Sequence, residues 1–350
     1  MKKFLILNIN DPGWSEIISS SYEYDFYHTQ SYSALEYPNE LILLVAFEGE
    51  DFIALPLIIR KIARTVFYDC TSVYGYCGPV SNKPFEFLSG DHIRYFQDEL
   101  LKYFKARHVV SVFSRLHPLI NNQSGIFENF GIIREINSTV AIDLQMPEEQ
   151  QLKNYRESHR RNIKKSLKEG YSVSEASTQE EIESFVEIYL ESMKRLNTDS
   201  SYLFGKSYFN KLLNNSEFDT RLLLAKKNDV ITGGGVFTIT NKIMQYHLGA
   251  VGNYFIEDSP LKIVIDQARR IGNELKLDYL HLGGGFSGKS NDSLFYFKSG
   301  FSDIRLTFSS WQMIIDEDKY SYLADLFNVN TQEVNGYFPA YRVRKTISVN

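Results

Sequence analysis

The order of apolar and polar segments is the same in the two halves of the chain. Each half contains two apolar runs joined by a polar turn, at residues 43–59 and 222–238. Apolar runs of this length around a short polar turn predict two antiparallel strands in a hairpin. Equivalent points in the halves lie roughly 170–180 residues apart, which indicates a duplicated domain rather than a short repeat.

The segments that follow each hairpin can be matched in the same order. A tight polar turn favours antiparallel pairing, whereas a helix between two strands favours parallel pairing. We therefore predict an α/β (α+β) protein with mixed sheets, built as a duplicated unit with domains over residues 1–145 and 146–350. The seam between such halves is a common place for a ligand. The matched segments are the aromatic strands 65–70 and 242–248, the helices 93–105 and 261–277, the buried strands 109–113 and 279–282, and the closing strands 139–144 and 310–315.

Composition and charge are typical of a soluble globular protein. The 350 residues are 43% hydrophobic and 23% charged, which is enough for two cores. The net charge of −5 lacks the global positive field that nucleic-acid-binding proteins usually carry. The aromatic share of 14% is explained either by strand packing or by aromatic ligand clefts.

The sequence indicates neither a membrane span nor a metal site. No apolar run approaches the roughly eighteen residues of a span, and the run after Lys3 is too short for a signal peptide. We expect a cytoplasmic protein without stable membrane insertion, and action at the inner membrane face is an open alternative. Cys70 and Cys77 match no zinc-binding spacing and are expected to be reduced and buried.

A basic helix is predicted over about residues 147–170, where the second domain begins. Between residues 153 and 169 it carries seven lysine or arginine residues against two glutamates. Arg156, Arg160 and Lys164 are spaced four apart and would share one helix face. A solvated surface explains such a face, and so does an anion site for phosphates or an RNA backbone.

Residues 283–290 read GGGFSGKS, which matches the phosphate-binding loop G-x-x-x-x-G-K-[ST]. Such a loop would place Lys289 on the outer phosphates and Ser290 on Mg²⁺. The remaining chain is too short for the βα units of a nucleotide-binding domain, and Asn291 and Asp292 interrupt the helix that the loop should open. A glycine-rich turn between a strand and a helix explains the string more simply.

Four segments together resemble one protein family. Residues 159–171 read HRRNIKKSLKEGY, and residues 281–301 contain a glycine-rich loop followed by FYFKSGF. The other two segments are the helix with Met193, Lys194 and Arg195, and Asp69 with YGYCGP at 74–79 and YFPAYR at 337–342. Over essentially its whole length the chain resembles the Fem-type (FemAB-like) branch of the GNAT acyltransferase superfamily, including the subgroup found with surface-polysaccharide genes.

This resemblance implies two tandem GNAT-like domains and an acyltransferase that modifies an amino group. The implied acceptor is a cell-envelope or surface-polysaccharide precursor, such as a nucleotide-linked aminosugar or a peptidoglycan-type precursor. Peptidoglycan-bridge members commonly carry a long helical arm linked to tRNA binding, and no heptad-patterned hairpin of that kind is present here. Acyl-CoA is therefore preferred as the donor, and aminoacyl-tRNA remains the alternative, with Gly249 and Gly252 as the nearest candidates for a donor-binding loop.

Acyl transfer to an amine needs a neutral nitrogen, stabilisation of an oxyanion and a proton for the leaving group. The resemblance places Lys298 in the cleft, where it would meet a phosphate or the oxyanion. Asp69, His28 and His247 are candidate bases, and Tyr246 is a candidate proton donor. Each of these residues also has an ordinary structural explanation, and proton transfer assisted by the substrate would need no protein base.

Further residues are candidates for substrate contacts, namely Tyr74, Tyr76, Arg160, Lys164 and Arg195. Two other function classes stay open. One is an ATP-dependent P-loop enzyme, and the other is a non-catalytic module that binds glycan precursors.

Overall fold

The computed structural model describes residues 1–36, 40–286, 292–329 and 337–343. The chain divides into unit 1, which combines Met1–Ile136 with Phe308–Asn350, and unit 2, which is Asn137–Thr307. Within the described ranges, every helix is too short or too polar to cross a membrane. The strands are β1 (Lys2–Asn8), β2 (Leu41–Glu48), β3 (Asp51–Lys61), β4 (Tyr68–Thr71), β5 (Val80–Ser81), β6 (Val109–Arg115), β7 (Ile132–Asp143), β8 (Tyr171–Glu175), β9 (Asp219–Lys227), β10 (Val230–Thr240), β11 (Ile243–Val251), β12 (Tyr279–Gly283) and β13 (Arg305–Ile314). The α-helices are α1 (Gly13–Ser19), α2 (Gln30–Glu36), α3 (Gly90–Ala106), α4 (Glu148–Lys153), α5 (Glu157–Lys168), α6 (Gln179–Arg195), α7 (Lys206–Leu213), α8 (Leu261–Glu274), α9 (Ser293–Lys298) and α10 (Glu317–Leu326).

The sheet of unit 1 has the strand order β1-β2-β3-β4-β6-β13, and the short β5 pairs with β3. β4 and β6 run parallel, whereas the other neighbours run antiparallel. β2 and β3 are nearly continuous apolar runs because both of their faces are buried. Helix α3 covers the sheet with Phe96, Leu100 and Phe104, which belong to the core of this unit.

The sheet of unit 2 has the strand order β7-β12-β11-β10-β9-β8. β11 and β12 run parallel, and the other neighbours run antiparallel. Helix α8 buries Ile263, Val264 and Ala268 in the core of this unit. Strand for strand the order repeats that of unit 1, so the predicted α/β class with a duplicated unit is confirmed.

The two closing strands are exchanged relative to the prediction. The segment predicted to close the first half lies in β7 and pairs with β12 of unit 2. The segment predicted to close the second half lies in β13 and pairs with β6 of unit 1. The units therefore change at residues 136/137 and 307/308, which differs from the predicted domains 1–145 and 146–350. The apolar pattern marks both segments as strands, but β6 and β12 offer the same kind of edge, so the pattern does not decide between them.

The predicted basic helix is two helices, α4 and α5. The chain leaves helical geometry at Arg156, whose ψ is 139° and whose backbone N–H donates to the carbonyl of Gly300 at 2.8 Å. The preceding Tyr155 is buried, and its ring meets Phe301 edge-on at 5.2 Å between the ring centres. Burial of this ring and the bond to Gly300 account for the break.

Candidate active site

The parallel strands of unit 2 part from each other at their carboxyl ends. β11 and β12 pair over only three residues, of which the last pair is Gln245 with His281. Beyond that pair, in the described residues, β11 continues to Val251 with β10 alone as its partner. Ligands of open α/β sheets commonly bind where the carboxyl ends of neighbouring parallel strands diverge. The opening between β11 and β12 is therefore the crevice in which the candidate site lies.

Lys298 lies at this crevice. It is the last residue of α9 and only 8% exposed. Its Nζ donates to the carbonyl of Gly284 at 2.8 Å and lies 5.7 Å from the centre of the Tyr246 ring. Gly284 directly follows β12, and Tyr246 directly follows the last residue of β11 that pairs with β12. The ammonium group is thus held between the two strands where they separate.

Burial decides the electrostatics of Lys298. Desolvation lowers the pKa of its ammonium to about 8, and the nearby Asp292 carboxylate opposes this shift. Asp292 also caps α9, since its Oδ1 accepts from the N–H of Phe295 at 2.9 Å. Below pH 8 the lysine is therefore a cation in a site with little water, where its field on a substrate is stronger than at the surface.

Tyr246 packs on two glycines, Gly235 and Gly249, which we call the glycine cradle. A Cβ added at Gly235 would come within 3.1 Å of the Tyr246 ring, and one added at Gly249 would overlap its hydroxyl. Burial raises the pKa of the phenol, so it keeps its proton and can donate a hydrogen bond. Gly249, a candidate for donor binding, has this packing role, and Gly235 was missed. The three consecutive glycines at 233–235 in a strand were the available signal of a close approach.

The start of α5 supports the segment that carries Lys298. His159 Nε2 donates to the carbonyl of Phe297 at 3.0 Å, and a Cβ at Gly300 would overlap the His159 ring. Arg156 donates to the carbonyl of Tyr296 at 3.1 Å and stacks on the Tyr296 ring at 3.8 Å. Burial lowers the pKa of His159 to about 4, so the ring is neutral at pH 7. Two of the four segments that carry the family resemblance are therefore in contact.

The side chain of His247 lies on the face of the sheet opposite Tyr246. The register pairs Val236 with Leu248 and Phe237 with Tyr246, so His247 is the extra residue of a β-bulge. Its Nε2 lies 2.8 Å from the hydroxyl of Tyr208 on α7, a residue that the sequence analysis missed. Bulges often redirect a side chain next to an active site, which makes this pair a candidate part of the site.

The other cations of unit 2 occupy different positions. Arg195 donates to the Val251 carbonyl at 3.4 Å and to the side chain of Asn253, where β11 ends. Arg160 reaches the Lys153 carbonyl at 3.4 Å, and Lys164 is exposed on α5. The N–H of Gly252 donates to the Thr232 carbonyl at 2.9 Å.

The remaining candidates lie in unit 1. Asp69 is fully buried and accepts from Arg60 and from Arg342, each at 2.8 Å. His28 is buried as well, where its Nε2 donates to the Cys77 carbonyl at 2.9 Å. Desolvation lowers the pKa of His28 to about 4. These contacts favour structural roles for Asp69 and His28.

The two tyrosines of the YGYCGP loop differ in exposure. Tyr74 is exposed, and its carbonyl accepts from Tyr32 at 3.0 Å. Tyr76 meets the rings of Phe308 and Tyr27 edge-on at 5.1 Å and 6.0 Å. Of the two, the Tyr74 side chain is the more accessible to a substrate.

Both cysteines are buried and free, and burial raises the pKa of their thiols. Among the residues that the structure describes, no group of three histidines, cysteines or carboxylates could hold a metal ion. Lys289, the lysine of the GGGFSGKS string, lies outside the described residues.

Comparisons with known proteins agree with this fold. The model of the FemAB family matches residues 123–229. The crystal structure of FemX is similar with a TM-score of 0.69 and 11% identity, over 91% of this chain and 99% of that chain. A conserved protein of unknown function from Bacteroides thetaiotaomicron VPI-5482 reaches 0.58 with 13% identity, over 89% of this chain and 100% of that one. L-PGS from Bacillus licheniformis reaches 0.55 with 11% identity, over 86% and 91%.

At such identities a structural likeness shows the fold alone. No curated protein matches the sequence. The family match covers residues 123–229, which include the start of α5 that supports the Lys298 segment. The resemblance to the FemAB family is confirmed over residues 123–229, and the chain has the fold of FemX.

Proposed function

We propose that the protein transfers an acyl or aminoacyl group to an amino group of a cell-envelope component. Within that class, the acceptor we favour is a nucleotide-linked aminosugar of surface-polysaccharide synthesis. The observation that carries the proposal is the buried Lys298 ammonium between the diverging strands β11 and β12. The FemAB family match and the FemX-like fold support a transferase of this kind.

The crevice supplies the electrostatic part of the reaction. The acceptor nitrogen attacks the donor carbonyl carbon, which forms the new C–N bond and a tetrahedral oxyanion. Lys298 is placed to stabilise that negative charge, and the protonated Tyr246, whose ring centre lies 5.7 Å from the ammonium, is our candidate for a second donor. Collapse of the intermediate breaks the bond to the sulfur or oxygen of the donor, and that atom leaves with the proton that the nitrogen gives up.

His247 is our candidate for the group that takes this proton from the nitrogen and returns it to the leaving atom. The bulge in β11 directs it to the face opposite Tyr246, and the Tyr208 hydroxyl fixes its ring at 2.8 Å. A general base must reach the proton that it removes, directly or through one water, so this role requires an acceptor that lies in the opening between β11 and β12 and is reached from both faces of the sheet. Asp69 and His28 are less suited because their polar atoms are engaged within unit 1.

The donor we favour is acyl-CoA. A second candidate, aminoacyl-tRNA, is supported by the exposed cations of α5, namely Arg161, Lys164, Lys165 and Lys168. Complexes with nucleic acid rest on phosphate contacts and weaken steeply with salt, whereas thioester binding in a crevice depends on salt much less. Salt dependence therefore separates the two donors.

The decisive experiment measures donor binding by calorimetry at low and moderate salt, and product formation by mass spectrometry. We expect acyl-CoA to bind with little salt dependence and to be consumed with a UDP- or dTDP-aminosugar. Charged tRNA that binds in a salt-sensitive way, and loses affinity in Arg161→Gln/Lys164→Gln/Lys165→Gln, would reverse the choice of donor. A protein that binds the aminosugar but transfers nothing from either donor would be the non-catalytic module instead.

A further inference from the structure

Unit 1 has a groove of about 820 Å³ between the turn that follows β3 and the start of α10. Lys61 lines it from the end of β3, Arg64 from the turn, and Lys319 from the helix. Of the described lining residues, Asp318 is the one carboxylate. None of these residues belongs to the candidate active site, so the groove needs its own explanation.

The turn that follows Lys61 and carries Arg64 is held in one conformation. The N–H of Ile62 donates to the Phe67 carbonyl at 2.9 Å, and the N–H of Thr65 donates to the Ile62 carbonyl at 3.2 Å. Arg64 takes a left-handed backbone conformation with φ of 63° at the bend. Lys61 and Arg64 are therefore presented by a strand end and a closed turn rather than by an open loop.

The groove keeps a positive charge. Lys319 is partly neutralised, since its Nζ lies 2.6 Å from Asp316 Oδ2 and 5.5 Å from the centre of the Phe67 ring. Lys61 and Arg64 are exposed, and in the part of the chain that the structure describes no ion pair neutralises either of them. An anion is thus the ligand that this charge pattern favours.

Exposed apolar side chains stand beside these cations. Val66, at the same turn, is 70% exposed, and Tyr322, on α10, is 52% exposed. Both line the groove. Cations next to exposed aliphatic and aromatic side chains are typical of surfaces that rest on an anionic bilayer, where the charges meet phosphates and the apolar groups enter the interface.

We propose that this groove docks the protein on the phosphate headgroups of anionic phospholipids. Lys61, Arg64 and Lys319 meet the lipid phosphates, while Val66 and Tyr322 enter the interfacial region. A small soluble phosphate ester would use the cations but leave both apolar side chains in water, which is why we assign the phosphate to lipid. The inference is independent of the transfer reaction. It makes the protein a peripheral membrane protein.

The test is co-sedimentation of the full chain with vesicles of phosphatidylcholine, with and without roughly one third phosphatidylglycerol. We expect binding only to the anionic vesicles, and loss of binding in high salt because screening shortens the reach of the charges. Each lysine or arginine near such a surface contributes about a fivefold factor in affinity, so Lys61→Gln/Arg64→Gln should weaken binding roughly twenty- to thirtyfold. Val66→Ser should weaken it roughly fivefold at unchanged charge.

The matched control is Lys3→Gln/Lys211→Gln, which removes two exposed lysines outside the groove. Equal binding of the groove variant and the control variant would overturn the proposal, and so would the absence of binding to anionic vesicles. Inorganic pyrophosphate is the soluble probe. If it raises the melting temperature of the wild-type protein but not of Lys61→Gln/Arg64→Gln, while vesicles do not bind, the groove is a soluble-anion site and the lipid assignment is wrong.

Discussion

At the residue scale, Lys298 is a positive charge in a buried position that water reaches poorly. The residue is buried, and its ammonium donates to the Gly284 carbonyl. A carbonyl cannot neutralise the charge, and the nearby Asp292 carboxylate offsets only part of the desolvation, so a positive charge remains for a substrate. This is the arrangement that stabilises a developing oxyanion, because the group needs no reorganisation at the moment of reaction.

Replacement of Lys298 tests this role. Lys298→Met should fold normally and lose about a hundred- to a thousandfold in transfer rate, equivalent to about 2–4 kcal/mol of transition-state stabilisation. Lys298→Arg should recover little, since a guanidinium is wider and differently shaped. The measurement is kcat/KM with the acceptor identified by mass spectrometry, and Lys211→Met on the exposed face of α7 is the control. Transfer by Lys298→Met at the wild-type rate would contradict the assignment.

Gly249 tests the cradle under Tyr246. A methyl group at this position overlaps the Tyr246 hydroxyl, so Gly249→Ala should displace the ring and lower the free energy of unfolding by about 1–3 kcal/mol. The displaced ring should also weaken binding of the donor. Gly205→Ala is the control, because nothing lies within 4 Å of its added Cβ. Chemical denaturation of both variants gives the comparison, and equal stabilities would show that Tyr246 can lie elsewhere.

At the scale of elements, α5 and α9 depend on a neutral histidine. His159 and His28 both have folded-state pKa values of about 4, below the ordinary value of 6.5. The unfolded chain therefore binds more protons between these values, and folding stability is present above pH 6.5 and lost as the pH falls toward 4. Each histidine should lower the free energy of unfolding by roughly 2 kcal/mol when the pH falls from 7 to 5.

The measurement is urea unfolding at both pH values. His159→Gln should unfold with a smaller difference between pH 7 and pH 5 than the wild-type protein, although it is less stable at pH 7. The exposed His108 provides a control, since His108→Gln should leave the difference unchanged. A wild-type protein equally stable at both pH values would show that neither ring is held neutral.

The sequence predicted the helices and strands better than it predicted which of them contact each other. The hairpins of β2 with β3 and of β9 with β10 are encoded locally, since each apolar run is interrupted only by its turn. The break between α4 and α5 was not predicted, because it depends on the burial of Tyr155 against Phe301, which is distant in sequence. The bulge at His247 was missed for the same reason, as it exists only through the register of β10 with β11.

The candidate site shows the same division. Lys298 was predicted from a short motif, and its neighbour Tyr246 from the matched position in the repeat. Tyr208 and His159 were not found as site residues, because their roles are defined by contacts across 39 and 138 positions of sequence. Spacing within one segment carries no information about such contacts.

At the scale of the whole molecule, unit 1 is built from both ends of the chain. A protein that ends at residue 304 lacks β13 and therefore lacks Trp311, which is fully buried and stacks on Phe127 at 4.0 Å. Loss of a buried tryptophan alone typically costs about 3–5 kcal/mol. We expect hydrogen exchange in β6 to accelerate strongly in this protein, while β12 in unit 2 keeps its protection.

A protein that ends at residue 343 retains β13 and α10 and is the matched control for this truncation. Protection of β6 should be the same there as in the full chain. If β6 stays equally protected in the protein that ends at residue 304, β13 is not the strand that completes unit 1.

The exchange of the closing strands also determines the order in which the two units can finish folding during synthesis. Unit 2 is complete once residue 307 has been made, whereas unit 1, begun first, still lacks the strand that covers β6. At about 5–20 residues per second, the ribosome takes on the order of 10–35 seconds to go from the end of the first segment of unit 1 to the end of β13. For that interval the edge of β6 is open to strands of other nascent chains. The part of the protein that is translated first is therefore the part that finishes folding last.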